Sequence, residues 1–323
     1  MRFEETLSEF GRKAVVIVGD LMLDEFIWGD VRRISPEAPV PIVEAKRQTF
    51  APGGAANVAT NVVSLGGEAY LGGLVGVDEG ATQLIRILEE SGVHPTGLTP
   101  DNQRPTTRKT RIIAHSQQIV RVDSETRTPL QRHHQTALRE WLEALLHHAG
   151  ACVLSDYGKG VITRSFAQEI IGLAKQHGKP IIIDPKGTDY SKYQGASLIT
   201  PNVHELELAT RVEVTNEASL TKATRKLIEL LPETILLITR GAQGMSLYVP
   251  SQEPVHIPTV ARNVYDVTGA GDTVVSTLAL ALATGADSLT AAHLANSAAG
   301  IVVGKLGTAR VTREELQESL PDN

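Results

Sequence analysis

The sequence has one cysteine, few aromatic side chains and no long apolar run. Cys152 alone cannot form an intramolecular disulfide or a cysteine-based zinc site. No stretch approaches the ~18 uncharged apolar residues of a membrane span. The first residues, MRFEETLSEFGRK, place acidic residues where a signal peptide needs an apolar core. We therefore expect a protein of a reducing compartment, the cytoplasm, with no membrane partner.

Positive charge is also scarce. The chain has 31 Lys and Arg against 37 Asp and Glu, a formal net charge of −6. Such a chain has no general attraction for nucleic acid or an anionic membrane, so any polyanion binding must be local. With 323 residues, 41% of them apolar, it can bury a sizeable core. No linker, low-complexity tract or internal repeat divides it, and we expect one domain over residues 1–323.

Short apolar runs alternate with helical patterns along most of the chain. The runs are rich in β-branched residues and end at Gly, Asp or Asn, which is typical of strands buried on both faces of a sheet. The alternation predicts an α/β fold with a doubly wound, mostly parallel sheet flanked by helices. The predicted strands are Ala14–Val18, Tyr70–Val77, Ala151–Ser155, Pro180–Asp184, Ser197–Thr200 and Thr234–Thr239, and the predicted helices are Gly54–Leu65, Gln131–His148, Arg164–His177, Ser219–Leu231, Gly271–Ala283 and Leu289–Val303.

Two segments interrupt this alternation. Trp28–Lys46 contains three prolines and no helical period, and Thr106–Asp123 has the pattern of a hairpin. Both predict strands of a small side sheet that covers the ligand crevice as a lid, formed by about residues 25–48 and 104–124. Its apolar runs VPIV and RIIA predict a lid-to-lid homodimer, because an isolated edge sheet needs cover.

Polar residues follow several of the predicted strands. In a doubly wound sheet, ligands bind in the crevice beyond the carboxyl ends of the strands. We therefore expect the residues that follow strands to meet at one crevice. These residues are Asp20, Asp156, Asp184, Asn202 and Arg240.

The segment DVTGAGDT, residues 266–273, carries the most specific chemical signal. Small residues at Gly269, Ala270 and Gly271 allow backbone N–H groups to approach a ligand at the start of a helix, which predicts an anion hole. An acidic residue such as Asp272 in a first helical turn is common, but that alternative does not explain the two glycines before it. A carboxylate beside an anion hole suits a base that deprotonates a hydroxyl attacking a phosphoryl group.

Other sites that bind nucleotides or metals are disfavoured by spacing. No GxxxxGK[ST] phosphate loop is present, and Val274 takes the last glycine position of a dinucleotide GxGxxG motif. The run HELEL lacks the second histidine of a zinc protease motif. An oxidoreductase is therefore a distant alternative.

Four motifs in order resemble the ribokinase (PfkB) family of sugar kinases. PGGAANVATNVVSLGG at 52–67 resembles its amino-terminal glycine-rich motif, and DVTGAGDT its carboxyl-terminal motif. TPNVHELE at 200–207 contains the family's Asn-x-x-Glu, and TRGAQGMSL at 239–247 resembles its nucleotide segment. The resemblance runs from about Val15 to Leu306. It implies transfer of a phosphoryl group from ATP to a sugar hydroxyl, with Mg²⁺ as cofactor.

A narrower resemblance is to the D-glycero-β-D-manno-heptose-7-phosphate kinases of lipopolysaccharide synthesis. It rests on GDLMLDEFIWG, RISPEAPVPIV, SDYGKG, IDPKGTDY and VVGKLGT. Many of those kinases are fused to a nucleotidyltransferase domain, and this chain ends about where the kinase ends, so we expect the single-function form. The implied reaction phosphorylates the anomeric (C1) hydroxyl to give the 1,7-bisphosphate, on the route to ADP-heptose.

The resemblance also implies residue roles. Asp272 would be the general base, with the amides of Gly269, Ala270 and Gly271 holding the developing charge. Asn202 and Glu205 would position Mg²⁺ through waters, although the pair equally fits a capped helix start. The implied nucleotide-binding residues are Lys186, Asn202, Val203, His204, Glu205, Thr239, Arg240, Gly241 and Asn296. The implied sugar-phosphate-binding residues are Asp20, Asp24, Gly53, Gly54, Asn57, Arg33, Lys109, Arg111 and Lys159.

Most of these positions have a plainer alternative. Lys186 equally fits a solvated loop lysine, Asn296 a helix residue without a ligand, and Asp20 and Asp24 aspartates in a turn. Asn57 lies within a predicted helix, where asparagine is disfavoured, and this favours a ligand role.

The predicted lid is locally basic. Residues 102–122 contain five basic residues and no acidic one. A local positive patch over the sugar site favours a substrate that already carries a phosphate. A solvated hairpin or a dimer contact is the alternative. The five residues are Arg104, Arg108, Lys109, Arg111 and Arg121.

Two rival functions remain open at this point. One is the same chemistry on another phosphosugar, such as fructose 1-phosphate or tagatose 6-phosphate. The other is a non-catalytic sugar-phosphate sensor built on a kinase scaffold. The presence of Asp272, the glycine turn and Asn202 with Glu205 together favours an enzyme.

Overall fold

The computed structural model describes residues 3–115, 117–261, 264–305, 307 and 309–320, in which the strands form two sheets. Leu306 and Thr308 of the motif VVGKLGT lie outside these residues. The larger sheet contains β1 (Ala14–Gly19), β4 (Glu68–Val75), β5 (His94–Pro100), β8 (Ala151–Ser155), β9 (Ile181–Asp184), β10 (Leu198–Ile199), β11 (Ile235–Thr239), β12 (Met245–Tyr248) and β13 (Val255–Ile257). The smaller sheet contains β2 (Leu21–Ile34), β3 (Pro41–Gly54), β6 (Arg108–Ala114) and β7 (Gln117–Ser124).

Ten α-helices connect or follow these strands in the described residues. None of them is both long enough and apolar enough to cross a bilayer. They are α1 (Phe3–Ser8), α2 (Ala55–Ser64), α3 (Glu79–Glu90), α4 (Arg132–Leu146), α5 (Arg164–Gln176), α6 (Val203–Thr210), α7 (Glu217–Leu230), α8 (Ala270–Ala283), α9 (Ser288–Val302) and α10 (Arg313–Ser319).

The nine-stranded sheet confirms the expected α/β architecture. Its order is β13-β12-β11-β10-β9-β8-β1-β4-β5. Its neighbouring strands run parallel except at the β13-β12-β11 edge, where the pairs are antiparallel. The predicted strands and helices all recur within a few residues of their expected bounds.

Helices cover both faces of this sheet, and the sequence of β1 shows why its strands are continuously apolar. Val15 and Ile17 point into one core cluster with α2, α8 and α9, whereas Val16 and Val18 point into the opposite cluster with α4 and α5. All four side chains are completely buried. Each contributes about 1.5–3 kcal/mol by leaving water, so an alternating polar pattern would be costly here.

The structure adds elements that sequence patterns did not predict. β5 has the sequence HPTGLTP, in which proline and glycine favour a loop, but it pairs with β4 at the sheet edge. β12 and β13 extend the opposite edge. Edge strands tolerate proline and glycine because one side of their backbone needs no partner.

The four-stranded sheet, in the order β3-β2-β6-β7, is the expected small second sheet. It includes most of the two segments predicted as a lid, and its function as a lid stays a prediction. The long strand β2 begins in the buried core at Leu21 and becomes exposed toward Ile34. The small sheet therefore begins beside the carboxyl end of β1 and extends outward from there.

Candidate active site

A cleft of about 210 Å³ opens at the carboxyl ends of the central strands. Asp156, Asp184 and Asn202 line it, as expected for residues that follow β8, β9 and β10, whereas Asp20 and Arg240 are not among its lining residues. The amino-terminal end of α8 closes one side. The lining residues are Asp156, Tyr157, Asp184, Pro185, Lys186, Thr200, Asn202, Glu205, Thr239, Gly269, Gly271, Asp272 and Val274.

Asp272 lies in the first turn of α8 with its carboxylate buried in the cleft wall. Only 5% of the residue is exposed. One carboxylate oxygen accepts a hydrogen bond from Asn57 Nδ2 at 2.6 Å, and the other accepts one from the Tyr157 hydroxyl at 2.6 Å. Burial raises the pKa of Asp272 to about 6, although both hydrogen bonds oppose the rise. A carboxylate with this pKa is a stronger base than an exposed aspartate and still ionised at neutral pH.

Gly269 and Gly271, which precede Asp272, are glycines for different structural reasons. Gly269 caps α8 in the left-handed region, with φ of 81°, where a side chain would be strained. A Cβ on Gly271 would meet no described atom within 4 Å, so its missing side chain leaves room in the cleft. The Ala270 amide donates to the Val267 carbonyl at 3.2 Å, which leaves it engaged in the turn.

Asn202 and Glu205 form the capped helix start that was the alternative interpretation. Asn202 Oδ1 accepts from the Glu205 amide at 2.9 Å, and Glu205 Oε2 accepts from the Asn202 amide at 3.1 Å. The other oxygen of Glu205 pairs with Lys186 Nζ at 2.7 Å. Between these two residues, Val203 and His204 do not line the cleft. The capping leaves the magnesium role of the pair a prediction.

Asp184 lines the cleft, but no catalytic or binding role is predicted for it from the sequence. No hydrogen bond or ion pair of its carboxylate to another described residue is seen. Burial, together with the charges of Asp272, Glu205 and Asp156, raises its pKa well above the usual value. The sequence feature that could have identified Asp184 as a site residue is its place at the end of the apolar strand IIID.

The oxygen ligands at this end of the cleft fit a magnesium ion. Asp184, Asn202 and Glu205 offer carboxylate and amide oxygens, which Mg²⁺ prefers, and the crowded negative charges call for a cation. Within the described residues, no three His, Cys, Asp or Glu side chains are close enough to hold a metal directly. Waters would have to complete the coordination of a magnesium ion here, as Mg²⁺ commonly retains them.

Thr239, Arg240 and Asn296 differ in their access to a nucleotide. Thr239 lines the cleft. The Arg240 guanidinium donates to Ser246 Oγ at 3.1 Å and pairs with Glu217, so it holds the turn after β11. Asn296 is buried and donates to the Pro258 carbonyl at 2.8 Å. Of these three, only Thr239 lines the cleft, and the nucleotide role of all three stays a prediction.

Gly241, the remaining expected nucleotide residue, lies exposed in the turn beyond Arg240. Its φ is 57°, in the left-handed region, and a Cβ would meet no described atom within 4 Å. The backbone conformation therefore favours glycine even without a ligand.

Asp20 organises the loop that carries Tyr157. Its carboxylate accepts hydrogen bonds from the backbone amides of Tyr157, Lys159 and Val161 at 2.8, 3.0 and 3.1 Å. Burial nevertheless raises its pKa. The structure thus gives Asp20 a role in positioning this loop, and its contact with a sugar stays a prediction.

Asp24 and the glycines of β3 meet where the two sheets join. Asp24 pairs with Arg111 at 2.6 Å. A Cβ on Gly53 would lie 2.8 Å from Asp24 Oδ2, and one on Gly54 would lie 2.5 Å from the Asp20 carbonyl oxygen. The backbone contact and a φ of 58° require glycine at 54, and a Cβ at 53 would displace the Asp24 side chain. Both glycines therefore have a structural cause that does not involve a sugar.

The five basic residues of the segment 102–122 are mostly paired, which corrects the expectation of a local positive patch. Arg104, Arg108 and Arg121 contact Asp101, Glu25 and Asp123. The partners of Arg108 and Arg111 come from β2, far away in the chain, so a window of sequence did not show them. Among the described residues, Lys109 is the member of the five with no ion pair.

The two other cations predicted to bind the substrate phosphate, Arg33 and Lys159, differ. Lys159 pairs with Glu125 at 2.5 Å, and its side chain is 13% exposed. Arg33 is exposed on the outer part of β2.

Lys109 is half-buried, and desolvation lowers its pKa although Asp24 lies nearby. A desolvated ammonium without an ion pair is the strongest candidate here for binding an anion.

Comparisons with known proteins identify the family and the fold of the chain. Residues 12–315 match the model of the pfkB family carbohydrate kinase. The chain is 46% identical, over 98% of its length, to the bifunctional protein HldE of Desulfatibacillum aliphaticivorans. It is 43% identical, again over 98% of its length, to HldE of Geobacter sulfurreducens. It spans 65% of the length of either relative.

Two solved structures show the same fold. Arabidopsis thaliana ribokinase, complexed with ribose and ATP, superposes with a TM-score of 0.77 at 22% identity, covering 96% of this chain and 99% of that one. The tetrameric inhibited form of Escherichia coli phosphofructokinase-2 gives 0.77 at 19% identity, covering 95% and 97%. The ribokinase-like fold expected from the motifs is therefore confirmed.

Proposed function

The chain belongs to the pfkB family of carbohydrate kinases, and from this we propose that it phosphorylates the anomeric hydroxyl of D-glycero-β-D-manno-heptose 7-phosphate with ATP. The products are ADP and the 1,7-bisphosphate, a precursor of ADP-heptose for lipopolysaccharide synthesis. The chain is a sugar kinase, a phosphotransferase with an alcohol acceptor. The observation that carries the proposal is the buried Asp272 carboxylate in the cleft wall beside the start of α8.

The proton of the sugar hydroxyl goes to Asp272. As this hydroxyl oxygen forms a bond to the γ-phosphorus of ATP, the bond between that phosphorus and the β,γ-bridging oxygen breaks, and ADP leaves. The carboxylate accepts the proton while Asn57 and Tyr157 hold its two oxygens in place. Its raised pKa brings it closer to the working pH, which improves a general base.

The start of α8 stabilises the transferring group. The helix dipole and the free space at Gly271 allow the negative oxygens to approach the first turn closely. Magnesium would supply charge neutralisation to the triphosphate, and Asp184, Asn202 and Glu205 would hold it through waters. Lys186 lines the same cleft and pairs with Glu205, from where it can reach a phosphate.

One face of the small sheet supports a phosphorylated sugar as the substrate. Pairing between β2 and β6 places Asp24 beside Lys109 and Phe26 beside Arg111, so these side chains share one face. The charges of Asp24 and Lys109 both affect the ionisation of Asp272, so this face is directed toward the proposed base. Lys109, which has no ion pair among the described residues, would bind the second anionic group of such a substrate.

Replacing Lys109 with Met is expected to raise the KM for the sugar phosphate about tenfold or more, because a hydrogen bond between two charged groups is lost. The aliphatic stem is kept, and the KM for ATP should stay within twofold. Arg32→Met is the matched control, since Arg32 is an exposed cation of the same sheet with only long contacts to Asp30 and Glu44. An unchanged KM for the sugar phosphate in the Lys109 variant would remove this residue from the substrate site.

We also propose a homodimer through the small sheet and action in the cytoplasm, where ATP is available. Val120 and Val122 on β7 are 46% and 54% exposed. Their register with Ile112 and Thr110 places them on the face opposite Lys109. Sedimentation at micromolar concentration should give twice the chain mass, and Val122→Lys should shift it toward the monomer. A monomeric wild type would contradict the dimer.

A substrate panel tests the reaction itself. ADP release is measured with ATP and magnesium on heptose 7-phosphate, fructose 1-phosphate, tagatose 6-phosphate and unphosphorylated sugars. We expect heptose 7-phosphate to have the highest kcat/KM, with phosphate appearing at C1. Equal rates on the hexose phosphates would overturn the heptose assignment. No ADP release with any of these sugars would favour the sensor.

A further inference from the structure

Tyr157 contacts the proposed base and was not among the sequence candidates. It lies in the loop that follows β8, and its amide donates to Asp20 at 2.8 Å. Its hydroxyl donates to Asp272 Oδ1 at 2.6 Å, while Asn57 donates to Oδ2. The carboxylate is thus held at both oxygens by groups from two separate segments of the chain.

We propose that Tyr157 is a positioning residue that fixes the orientation of the Asp272 carboxylate and stabilises its charged form. This rests on the proposed function, in which Asp272 receives the proton of the sugar hydroxyl. Each carboxylate oxygen has two lone pairs, so Asp272 can accept the substrate hydroxyl while keeping the bond from Tyr157. Tyr157 acts through the base and needs no contact with the reacting atoms.

The surroundings of Tyr157 keep its phenol protonated, so its hydroxyl acts as a hydrogen-bond donor. Burial and the nearby charges of Asp272 and Asp184 raise the pKa of its phenol well above the usual value, so the phenol keeps its proton at every working pH. A hydrogen bond donated to the ionised form of an acid favours that form. The contact with Tyr157 therefore opposes the effect of burial on Asp272.

Other groups also face Asp272. Asp24 on β2 disfavours its charged form, and Lys109 on β6 favours it. Asp184 at the end of β9 adds a repulsive charge when it is ionised. The described structure shows none of these three hydrogen-bonded to the Asp272 carboxylate. Removing the Tyr157 hydroxyl therefore changes a direct contact and leaves these longer-range charges in place.

The test is Tyr157→Phe. In the wild type, kcat/KM should fall on the acid side with a midpoint near pH 6, because only the ionised base works. In the variant, we expect this midpoint to rise by about one pH unit, with reduced kcat at pH 6–7 and recovery above pH 8. A lower rate at all pH values with an unmoved midpoint would overturn the proposal, since a packing defect alone would have that effect.

Tyr193→Phe is the matched control. Its hydroxyl also donates to a buried aspartate, Asp156, at 2.7 Å, but it makes no contact with Asp272. This variant can lose some activity through the loss of a buried hydrogen bond. Its acid midpoint should remain that of the wild type, and an equal shift in both variants would overturn a specific role for Tyr157.

A second measurement does not depend on catalysis. The free energy of unfolding is compared between Asp272 and Asp272→Asn chains across pH, once with Tyr157 and once with Phe at that position. The difference should grow from about pH 4, the pKa of the unfolded aspartate, and level off near pH 6 with Tyr157, whereas with Phe it should level off about one pH unit higher and at a larger value. Identical curves would refute the role of Tyr157, whereas absence of turnover in the wild type would refute the proposed function alone.

Discussion

Asp272→Asn is expected to lower kcat by about 10²–10⁴-fold, because an amide cannot accept the proton of the attacking hydroxyl. The change is isosteric, and the side-chain oxygen can still accept a bond from either Asn57 or Tyr157. The fold and the KM for ATP should therefore stay close to those of the wild type. The measurement is ADP release at saturating ATP and heptose 7-phosphate. Near-normal turnover would exclude Asp272 as the base.

The same variant should be more stable than the wild type at alkaline pH. Folding raises the pKa of Asp272 from 3.8 to about 6. Its favourable contribution to the free energy of unfolding is therefore complete below about pH 4 and is lost as pH rises through 6. At pH 8, Asn removes this cost, which is at most about 3 kcal/mol because one pKa unit corresponds to about 1.4 kcal/mol. The amide group of Asn faces one of the two donors and reduces the gain.

Urea unfolding of both chains at pH 8 and pH 4 checks this sign. The stability difference should be large at pH 8 and nearly absent at pH 4. A wild type that is the more stable protein at pH 8 would contradict the burial cost assigned to Asp272. A base that destabilises its own fold is a common consequence of placing charge in a catalytic cleft.

Gly271→Ala is expected to reduce kcat/KM by about 10²-fold without loss of stability, as a small displacement of reacting groups can cost that much. A Cβ at this position meets no described atom within 4 Å, so the unliganded fold accepts it. In a helix, Ala is favoured over Gly by roughly 0.5–1 kcal/mol. The new methyl group would occupy the cleft beside Asp272, where the transferring phosphoryl group must approach α8.

Gly172→Ala provides the matched control for this prediction. Gly172 lies in α5 and is exposed, and a methyl group added there would likewise have no described atom within 4 Å. Both variants should unfold at the same or a higher urea concentration than the wild type. Only Gly271→Ala should lose activity. Full activity in both would show that the start of α8 does not contact the phosphoryl group.

Local sequence patterns determined the central strands, the helices between them and the place of the cleft. The run AVVIV has no polar face, so it predicted a strand that is buried on both faces of a sheet. The glycines at 269 and 271 indicated a helix start that approaches a ligand. Asn202 and Glu205 lie three residues apart, so the capping box was visible as a pattern. These features depend on neighbours in the chain, which a sequence shows directly.

The tertiary structure alone decided which groups hold the base and which cations are paired. Asn57 and Asp272 are 215 residues apart, Tyr157 and Asp272 are 115 apart, and Arg111 and Asp24 are 87 apart. No periodicity links such positions, because their contact depends on how strands and helices pack around the sheet. For the same reason, the count of basic residues over 102–122 could not show that Arg108 and Arg111 pair with residues of β2, which leaves Lys109 as the member of the five without an ion pair in the described structure.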